Sequence, residues 1–478
     1  MSSRSKKIFL LGGKTLEDIY KEIESIYFSN SYPWIVGYSG GKDSTATLQL
    51  VWEALERLPR NKLKKPIYVL SSDTLIEIPK VINYVDKNLS LINKTAKEKG
   101  LPIQAVKVYP RISDTFWVNL IGRGYPAPTK EFRWCTDRLK IEPSNRFVVE
   151  TVSKYGEVVV VLGVRKSESL NRERTINEHK IENHRLSRHS TLPGALVYTP
   201  IEDWTVEDVW NYLLNFESPW GGDNQELFEM YKQANAGEPP IIVGDLVAAN
   251  EQSGGNSRFG CWVCTVVKNE KSLSSLIESG EIWLKPLQKF REMLVETQDP
   301  EKKHIYRDYK RRDGSIYFLR NSCGDGSKKL GRGPYKFEYR KLFLEKLLET
   351  EKEVNKNNPY EEEIKLISLE ELLEIRRIWK LEEGDWEDSV AKIYKKVYGK
   401  ELEIPKEDVG IFSAEDKRLI ELLAAEEEID PRLIIKLLNT CQYNAFSSRK
   451  SSLLRKLEKI LNEEWRTEEE ILREVNGQ

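Results

Sequence analysis

The stretch at residues 38–45, Tyr-Ser-Gly-Gly-Lys-Asp-Ser-Thr, constrains the fold more than any other part of this sequence. The apolar run at 33–38 before it predicts a buried parallel strand, and apolar residues at 46–55 recur at helical spacing. The stretch is therefore predicted to join a strand to a helix. Its two glycines let the backbone approach a ligand, and the N–H groups of the first helical turn would face an anion. Phosphate is the anion that the side chains of the loop favour, since they supply three hydroxyls and one amine, those of Ser39, Ser44, Thr45 and Lys42.

The spacing of this loop differs from that of a Walker A loop, because Val36 occupies the position where a glycine is required. Ser-Gly-Gly-Lys-Asp-Ser instead resembles the PP-loop of ATP pyrophosphatases, which cleave ATP between its α and β phosphates. The alternative is a glycine-rich turn with incidental polar residues. The resemblance implies ATP with Mg²⁺ as ligand and implies catalytic roles for Lys42, Asp43 and Ser44. The ATP-binding residues expected in the loop are Tyr38, Ser39, Gly40, Gly41, Lys42, Asp43, Ser44 and Thr45.

Further strands and helices alternate after the loop. Strands are predicted at 67–74, 103–109 and 158–162, and a helix at 80–99. This alternation predicts an α/β fold with a doubly wound parallel sheet. In such sheets ligands bind beyond the carboxyl ends of the strands, so Asp73 is expected to face the same crevice as the loop and to contact ATP. A helix N-cap is the alternative role for Asp73.

Three further motifs sharpen the resemblance. Arg133-Trp134-Cys135 with Lys140, the Gly163-x-Arg165-x-x-Glu168 pattern, and Pro200-x-x-x-Trp204 are similar to the PAPS-reductase branch of the PP-loop family. The resemblance covers about residues 30–215. It implies that basic residues bind phosphate or sulfonate groups of the substrate, whereas each arginine taken alone would be interpreted as a surface ion pair. The substrate-binding residues expected are Arg133, Arg138, Lys140, Arg165, Glu168 and Arg172.

The chain has five cysteines, which is not a disulfide framework for 478 residues. Cys261 and Cys264 form a Cys-x-x-Cys pair that offers two thiolates to one metal or cluster. A zinc ribbon would need a second such pair, and two buried structural cysteines are the alternative. Cys135, whose basic neighbours would lower its pKa, and Cys323 are expected to complete a [4Fe–4S] site. Cys441 follows an apolar helical run and is expected to lie in the core.

Residues 302–346 contain 14 Lys and Arg against 5 Asp and Glu, a net charge of +9 in a chain of net charge −1. Aromatic residues and glycines are interleaved with these basic residues. This pattern favours binding to a nucleic-acid backbone. A solvated helix face remains the alternative for 302–312.

The length predicts about three domains. They are expected at 1–220 (PP-loop domain), 221–346 (iron–sulfur and basic segment) and 347–478 (helical region). No apolar run reaches the length of a membrane helix, and no secretory signal is recognised, so a cytoplasmic protein with no membrane partner is expected.

Taken together, residues 33–45 and 258–267 resemble the DndC family, the sulfurtransferases of the bacterial DNA phosphorothioation system. The resemblance implies replacement of a non-bridging oxygen of a DNA phosphate by sulfur, after that phosphate is adenylated with release of pyrophosphate. It implies DNA, a cysteine desulfurase as sulfur donor, and other DNA phosphorothioation proteins as partners. The alternatives are a tRNA thiolation enzyme, a sulfonucleotide (PAPS or APS) reductase and a nucleotide-gated DNA-binding scaffold without enzymatic activity.

Overall fold

The computed structural model describes residues 10–168, 174, 185–234, 240–243, 246–249, 260–267, 271–319, 329–405, 412–444 and 450–476. The chain divides into two compact units. The first unit is drawn from Met1–Pro110, Trp134–Cys264 and Asn269–Lys285, and the second from Arg111–Arg133, Thr265–Lys268 and Pro286–Gln478. Each unit therefore combines segments that are separated in the sequence.

The first unit contains all ten of the strands named in the described residues. They are β1 (Leu10–Leu11), β2 (Lys14–Thr15), β3 (Trp34–Gly37), β4 (Ile67–Ser72), β5 (Ile103–Val108), β6 (Val158–Val161), β7 (Ser187–Arg188), β8 (Ala195–Tyr198), β9 (Pro240–Val243) and β10 (Leu246–Ala249). Its α-helices are α1 (Leu16–Phe28), α2 (Lys42–Glu56), α3 (Pro79–Lys99), α4 (Trp134–Thr136), α5 (Glu142–Tyr155), α6 (Val206–Asn215), α7 (Asn224–Ala234) and α8 (Lys271–Glu278). A π-helical turn, Asp137–Ile141, connects α4 to α5.

Six of these strands form one sheet in the order β5-β4-β3-β6-β8-β7. The pairs β3–β4, β4–β5, β3–β6 and β6–β8 are parallel, and β7 is an antiparallel edge strand. Because the chain passes from β3 to β4 on one side and later to β6 on the other, the strand order reverses beside β3. Ligands bind at such a switch point in open α/β sheets. The predicted doubly wound α/β fold is confirmed.

The two elements on either side of the Gly-rich loop are held by burial. Trp34, Ile35 and Val36 of β3 are fully buried, as expected for a central parallel strand. Helix α2 buries twelve of its fifteen residues, among them the large side chain of Trp52. Each large apolar side chain buried in this way contributes about 1.5–3 kcal/mol. Packing of β3 and α2 therefore fixes the position of the loop between them.

Helix α3 matches its predicted span to within one residue. Pro79 occupies the first turn, where its missing N–H costs nothing. Gly100 ends the helix with a φ of +63°, and its N–H donates to the carbonyl oxygen of Lys97 at 3.3 Å. The strands predicted at 67–74, 103–109 and 158–162 are each shorter by one or two residues at the carboxyl end.

The second unit is helical. Its α-helices are α9 (Lys285–Glu296), α10 (Lys303–Tyr306), α11 (Phe337–Lys356), α12 (Leu369–Glu382), α13 (Ser389–Tyr398), α14 (Ala414–Glu426), α15 (Pro431–Asn444), α16 (Lys450–Leu461) and α17 (Glu468–Asn476). A π-helical turn, Val118–Gly122, packs against α11 and α12. Arg340, which is 2% exposed, and Trp379 both donate to the carbonyl oxygen of Ile121, at 2.9 and 3.0 Å. These bonds satisfy a buried carbonyl. The predicted helical C-terminal region is confirmed.

The predicted boundaries of the three domains stay a prediction; α11 continues across the boundary placed after residue 346. The core position expected for Cys441 is wrong. The helix continues through this residue as part of α15, and its side chain is exposed. Among the described residues, no helix is both long enough and apolar enough to cross a membrane.

Candidate nucleotide site at the edge of the parallel sheet

The Gly-rich loop leaves the carboxyl end of β3 and enters α2, as predicted. Tyr38 N–H donates to the carbonyl oxygen of Leu70 on β4 at 2.8 Å, which fixes the start of the loop to the sheet. Ser44 closes the loop: its hydroxyl donates to the carbonyl oxygen of Gly41 at 2.9 Å and accepts from the N–H of Ser39 at 3.2 Å. Gly41 is the N-cap of α2 and has no side chain to bond the first N–H groups of the helix. Those groups suit an anion.

Gly40 is required by the shape of the loop. Its φ of +72° lies in the left-handed region that side chains disfavour. A Cβ atom at this position would lie 2.6 Å from Cγ2 of Val85 on α3, well inside van der Waals contact. The sequence thus needs glycine here both for the turn and for the approach to α3.

A charged group lies at the start of α2. Asp43 accepts from Nε of Arg165 at 2.6 Å through Oδ1, and its Oδ2 lies 3.5 Å from Nζ of Lys42. Arg165 is 3% exposed and also donates to Oγ of Ser167 at 2.9 Å. Lys42 is 8% exposed, and its ammonium lies 5.0 Å from the ring centre of Tyr231. Because two cations share its carboxylate, Asp43 positions Lys42 and Arg165.

The end of β4 contributes a second charged group. Asp73, 6% exposed, accepts from the N–H of Leu75 at 2.8 Å and pairs with Nζ of Lys107 at 2.7 Å. Lys107 also pairs with Asp86 at 2.7 Å. Desolvation opposes the charge on Lys107, but hydrogen bonds and charge from the two carboxylates outweigh it and raise the pKa of Lys107. The ammonium therefore stays charged beside Asp73 at neutral pH.

The Gly-rich loop and the end of β4 border the same cavity, which has a volume of about 390 Å³. We call it the loop cavity. Its polar wall includes Ser39, Ser44, Asp73, Glu77, Lys107 and Lys140. His189 and Gly163 line it as well. Hydroxyls, lysines and carboxylates thus surround a space whose size suits a nucleotide.

A cysteine-containing group lies next to Lys140. Its ammonium is 3.7 Å from Oε1 of Glu77, and Glu77 pairs with Cys261 through a short antiparallel bridge. Sγ of Cys261 lies 3.7 Å from Oγ1 of Thr74. Desolvation opposes the charge of Lys140, but Cys261, Glu77 and Cys135 outweigh it and raise the pKa of Lys140. Lys140 thus interacts with two of the predicted cluster ligands.

The turn after the bridge brings Cys264 beside Cys261, because Cys264 N–H donates to the carbonyl oxygen of Cys261 at 3.0 Å. Burial raises the pKa of Cys261 to about 11, partly offset by the charge of Lys140. The described cysteines form no disulfide with one another. Among the described residues, no three His, Cys, Asp or Glu side chains are grouped closely enough to hold a metal ion. Cys135, Cys261 and Cys264 are therefore not a closed ligand set, and Cys323 lies outside the described residues.

The remaining predicted site residues are dispersed. Arg138 lies in the π-helical turn before α5 and is partly buried, whereas Arg133 belongs to the second unit and is exposed. Glu168 ends a short 3₁₀ turn, and its side chain is not described. Arg172 lies outside the described residues. Of the predicted substrate-binding set, Lys140 lines the loop cavity and Arg165 supports the loop through Asp43.

Sequence reasoning missed Lys107, His189 and Tyr231. Lys107 is one residue from the end of β5, so the rule that placed Asp73 at a strand end would also have found it. His189 and Tyr231 had no such signal, since each reaches the loop or its cavity from a distant part of the chain. Tyr231 accepts from the N–H of Lys42 at 3.3 Å across 189 residues of sequence.

Comparison with known proteins shows similarity to one described domain family over the part of the chain that contains this site. Residues 33–267 match the phosphoadenosine phosphosulfate (PAPS) reductase domain family. The match begins at the strand before the Gly-rich loop and ends just after Cys264. Two uncharacterised proteins of Methanocaldococcus jannaschii are similar over part of their length. One is 25% identical over 263 residues, 55% of this chain and 42% of that protein, and the other is 27% identical over 267 residues, 56% and 49%. The similarity to this chain therefore covers less than half of the length of each of these two relatives.

Solved structures show weaker similarity. A PAPS reductase from Candida auris in a phosphate complex, at 15% identity and a TM-score of 0.28, covers 45% of this chain and 88% of its own. The U34-tRNA thiolase NcsA from Methanococcus maripaludis with its [4Fe-4S] cluster, at 14% identity and a TM-score of 0.29, covers 63% of this chain and 91% of its own. At TM-scores this low, neither similarity supports a functional assignment.

Proposed function

We propose that this chain, whose residues 33–267 form a PAPS-reductase-like PP-loop domain, is an ATP-dependent sulfurtransferase that acts on the backbone phosphate of DNA. One observation above all supports this proposal: the Ser39–Ser44 loop lies at the switch point of the sheet and shares a cavity with Asp73, Lys107 and Lys140. A loop of N–H groups and hydroxyls facing two lysines suits the phosphates of ATP, because it stabilises negative charge on them.

In the first step, an oxygen of the DNA phosphate attacks the α-phosphorus of ATP. A phosphorus–oxygen bond forms there, the bond to the α,β-bridging oxygen breaks, and pyrophosphate leaves with that electron pair. Lys42 and the loop N–H groups stabilise the charge that develops on pyrophosphate. Arg165 holds Asp43, and Asp43 in turn holds Lys42, so the ammonium is positioned before ATP binds.

In the second step, a thiol reductant cleaves the persulfide of a donor protein; the thiol and the donor form a disulfide, and hydrosulfide is released. This hydrosulfide attacks the adenylated DNA phosphorus. A phosphorus–sulfur bond forms and AMP leaves with the oxygen that had been adenylated. One non-bridging oxygen of the DNA phosphate is thereby exchanged for sulfur. A cysteine desulfurase as donor and other DNA phosphorothioation proteins are the partners we propose.

Mg²⁺ bound with ATP would neutralise part of the phosphate charge. The residues that would hold it are Asp73 and Glu77, which line the loop cavity together. Burial raises the pKa of Glu77; Lys140 opposes this rise, and the nearby charge of Asp73 adds to it. Two carboxyl groups that disfavour each other's charge provide a suitable environment for a hard divalent cation.

We propose a [4Fe–4S] cluster on Cys135, Cys261, Cys264 and Cys323. The electrostatic interaction of both Cys135 and Cys261 with Lys140, and the turn that joins Cys261 to Cys264, support three members of this set. The set is incomplete among the described residues, so no step of the reaction is assigned to the cluster.

The PAPS reductase domain match favours a second candidate, the reduction of a sulfonucleotide. A reductase would bind the adenine nucleotide part of a sulfonucleotide in the loop cavity and would leave ATP uncleaved. Thiolation of tRNA would use the same adenylation with RNA as acceptor. The three functions therefore differ in whether ATP is cleaved and in which nucleic acid stimulates cleavage.

The test is to incubate anaerobically purified protein with ATP labelled at the α-phosphate, alone and with DNA or with tRNA. We expect labelled AMP, formed faster with DNA. ADP as the main product would reject the PP-loop assignment, stimulation by tRNA alone would favour tRNA thiolation, and intact ATP together with reduction of PAPS would favour the reductase.

A further inference from the structure

The second unit contains a cavity of about 490 Å³ that the proposed sulfur transfer does not use. We call it the arginine cavity. Five cationic side chains line it: Lys303, Arg307, Arg311, Arg312 and Arg332. Four aromatic rings belong to the same wall: Tyr125, Phe132, Tyr317 and Tyr335. Its volume is in the range of small-molecule and cofactor sites.

Three of the five cations have no carboxylate partner among the described residues. Arg312 pairs with Glu382 at 3.1 Å and Arg332 with Glu468 at 2.6 Å. Arg307 instead donates to main-chain carbonyl oxygens, those of Gly333 at 2.7 Å and Arg332 at 2.5 Å.

Burial lowers the pKa of Arg307, and the interactions with Tyr335 and Tyr317 oppose this lowering only in part. Lys303 and Arg311 likewise form no ion pair in the described part of the chain. Positive charges gathered in a cavity without matching carboxylates favour an anionic ligand.

The aromatic wall indicates what else the ligand contains. Phe132 is 45% exposed, and its ring centre lies 6.5 Å from that of Tyr125. The guanidinium of Arg311 lies 4.2 Å from the ring centre of Tyr317, and that of Arg312 lies 5.3 Å from the ring of Tyr125. Exposed aromatic rings beside guanidinium planes are the surfaces on which unstacked bases pack in single-strand binding proteins.

We infer that the arginine cavity binds one unstacked nucleotide of a single strand. The base packs against Phe132 and Tyr125, and the phosphate contacts the cations that lack carboxylates. Inorganic phosphate would leave the aromatic wall unused, and an apolar ligand would leave the charges unpaired. A base held in a duplex does not expose the faces that these rings contact. The site is separate from the loop cavity, so the inference does not depend on the ATP chemistry proposed there.

The test is fluorescence anisotropy of the full chain with a labelled single-stranded oligonucleotide and with the same sequence as a duplex. Arg311→Ala, Lys303→Ala and Phe132→Ala remove two cations and one ring. Each is expected to weaken single-strand binding by about 5-fold, the effect of about 1 kcal/mol for one stacking or phosphate contact. The matched control is Lys346→Ala, which removes a cation of the same basic segment that pairs with Glu349 at 2.7 Å. It should bind as the wild type does.

Competition with free dAMP distinguishes a site for a free nucleotide from a site for a nucleotide within a strand. Displacement of the strand by dAMP, with the same sensitivity to Arg311→Ala, would assign the site to a free nucleotide; failure to displace it would assign the site to a nucleotide within a strand. Unchanged single-strand binding in Phe132→Ala would overturn the inference. So would equal losses for strand and duplex, because the cations would then act as a general electrostatic surface.

Discussion

The loop cavity and the arginine cavity are both suited to phosphate, yet different chemical groups line them. The loop cavity combines main-chain N–H groups and hydroxyls with lysines, and its lysines are paired with carboxylates such as Asp73. The arginine cavity has a planar guanidinium, that of Arg307, bonded to carbonyl oxygens, with aromatic rings beside it. In the loop cavity the positive charges are thus paired with carboxylates before a ligand binds. In the arginine cavity several positive charges have no carboxylate partner among the described residues.

This difference indicates different uses. Paired charges of fixed geometry suit a reaction, because preorganised groups stabilise developing charge without rearrangement. Unpaired cations next to aromatic rings suit binding, since a phosphate supplies the missing charge and a base covers the ring. We therefore expect changes in the loop cavity to affect turnover and changes in the arginine cavity to affect affinity.

The largest expected effect concerns the four cysteines of the proposed cluster. Protein purified without oxygen should be brown and contain about four irons per chain if four cysteines bind a cubane. Serine at position 135, 261, 264 or 323 should each remove most of the iron, while single-strand binding is unchanged. Cys441→Ser is the control, because this exposed cysteine belongs to α15. Full iron retention in Cys323→Ser would exclude Cys323 from the set.

The next effect is on ATP cleavage. Lys42→Ala should reduce the rate of AMP formation by about 100-fold, because it removes a preorganised charge from pyrophosphate. Single-strand binding should not change, since Lys42 lies in the first unit. Lys62→Ala, an exposed lysine of the same unit, is the control. Equal losses of cleavage and of strand binding in Lys42→Ala would contradict the separation of the two sites.

A smaller effect is expected on stability. Arg165→Met leaves Asp43 without its closest partner in a site where Arg165 is 3% exposed, and should lower the free energy of unfolding by about 3 kcal/mol. The control is Arg57→Met, whose exposed pair with Glu17 should contribute less than about 1 kcal/mol. Thermal unfolding of both variants measures the difference. Similar losses in the two would mean that the Arg165–Asp43 pair is not a buried support of the loop.

The smallest effect is on salt dependence. Lys303→Ala should lower the slope of log K against log salt for a single strand by about 0.7, the value for one lost phosphate contact. The slope should be unaffected by Lys42→Ala. An unchanged slope in Lys303→Ala would show that Lys303 makes no phosphate contact.

The sequence by itself determined the fold class, the strand–loop–helix around Ser39–Ser44 and the span of α3. These features depend on contacts between near neighbours, and such contacts leave a periodic apolar pattern in the chain. The role of Gly40 and the place of Asp73 at a strand end follow from the same local rules.

Only the tertiary structure decided which charges meet. Arg165 and Asp43 are 122 residues apart, and nothing in either local pattern predicts their pairing. The arginine cavity combines side chains from 125–132 with side chains from 297–317 and 332–335, and the exposure of Cys441 depends on which face of α15 packs. The physical reason is that a pair distant in sequence has no periodicity of its own. Packing of the elements between the two residues brings them together, so their charges interact only in the folded chain.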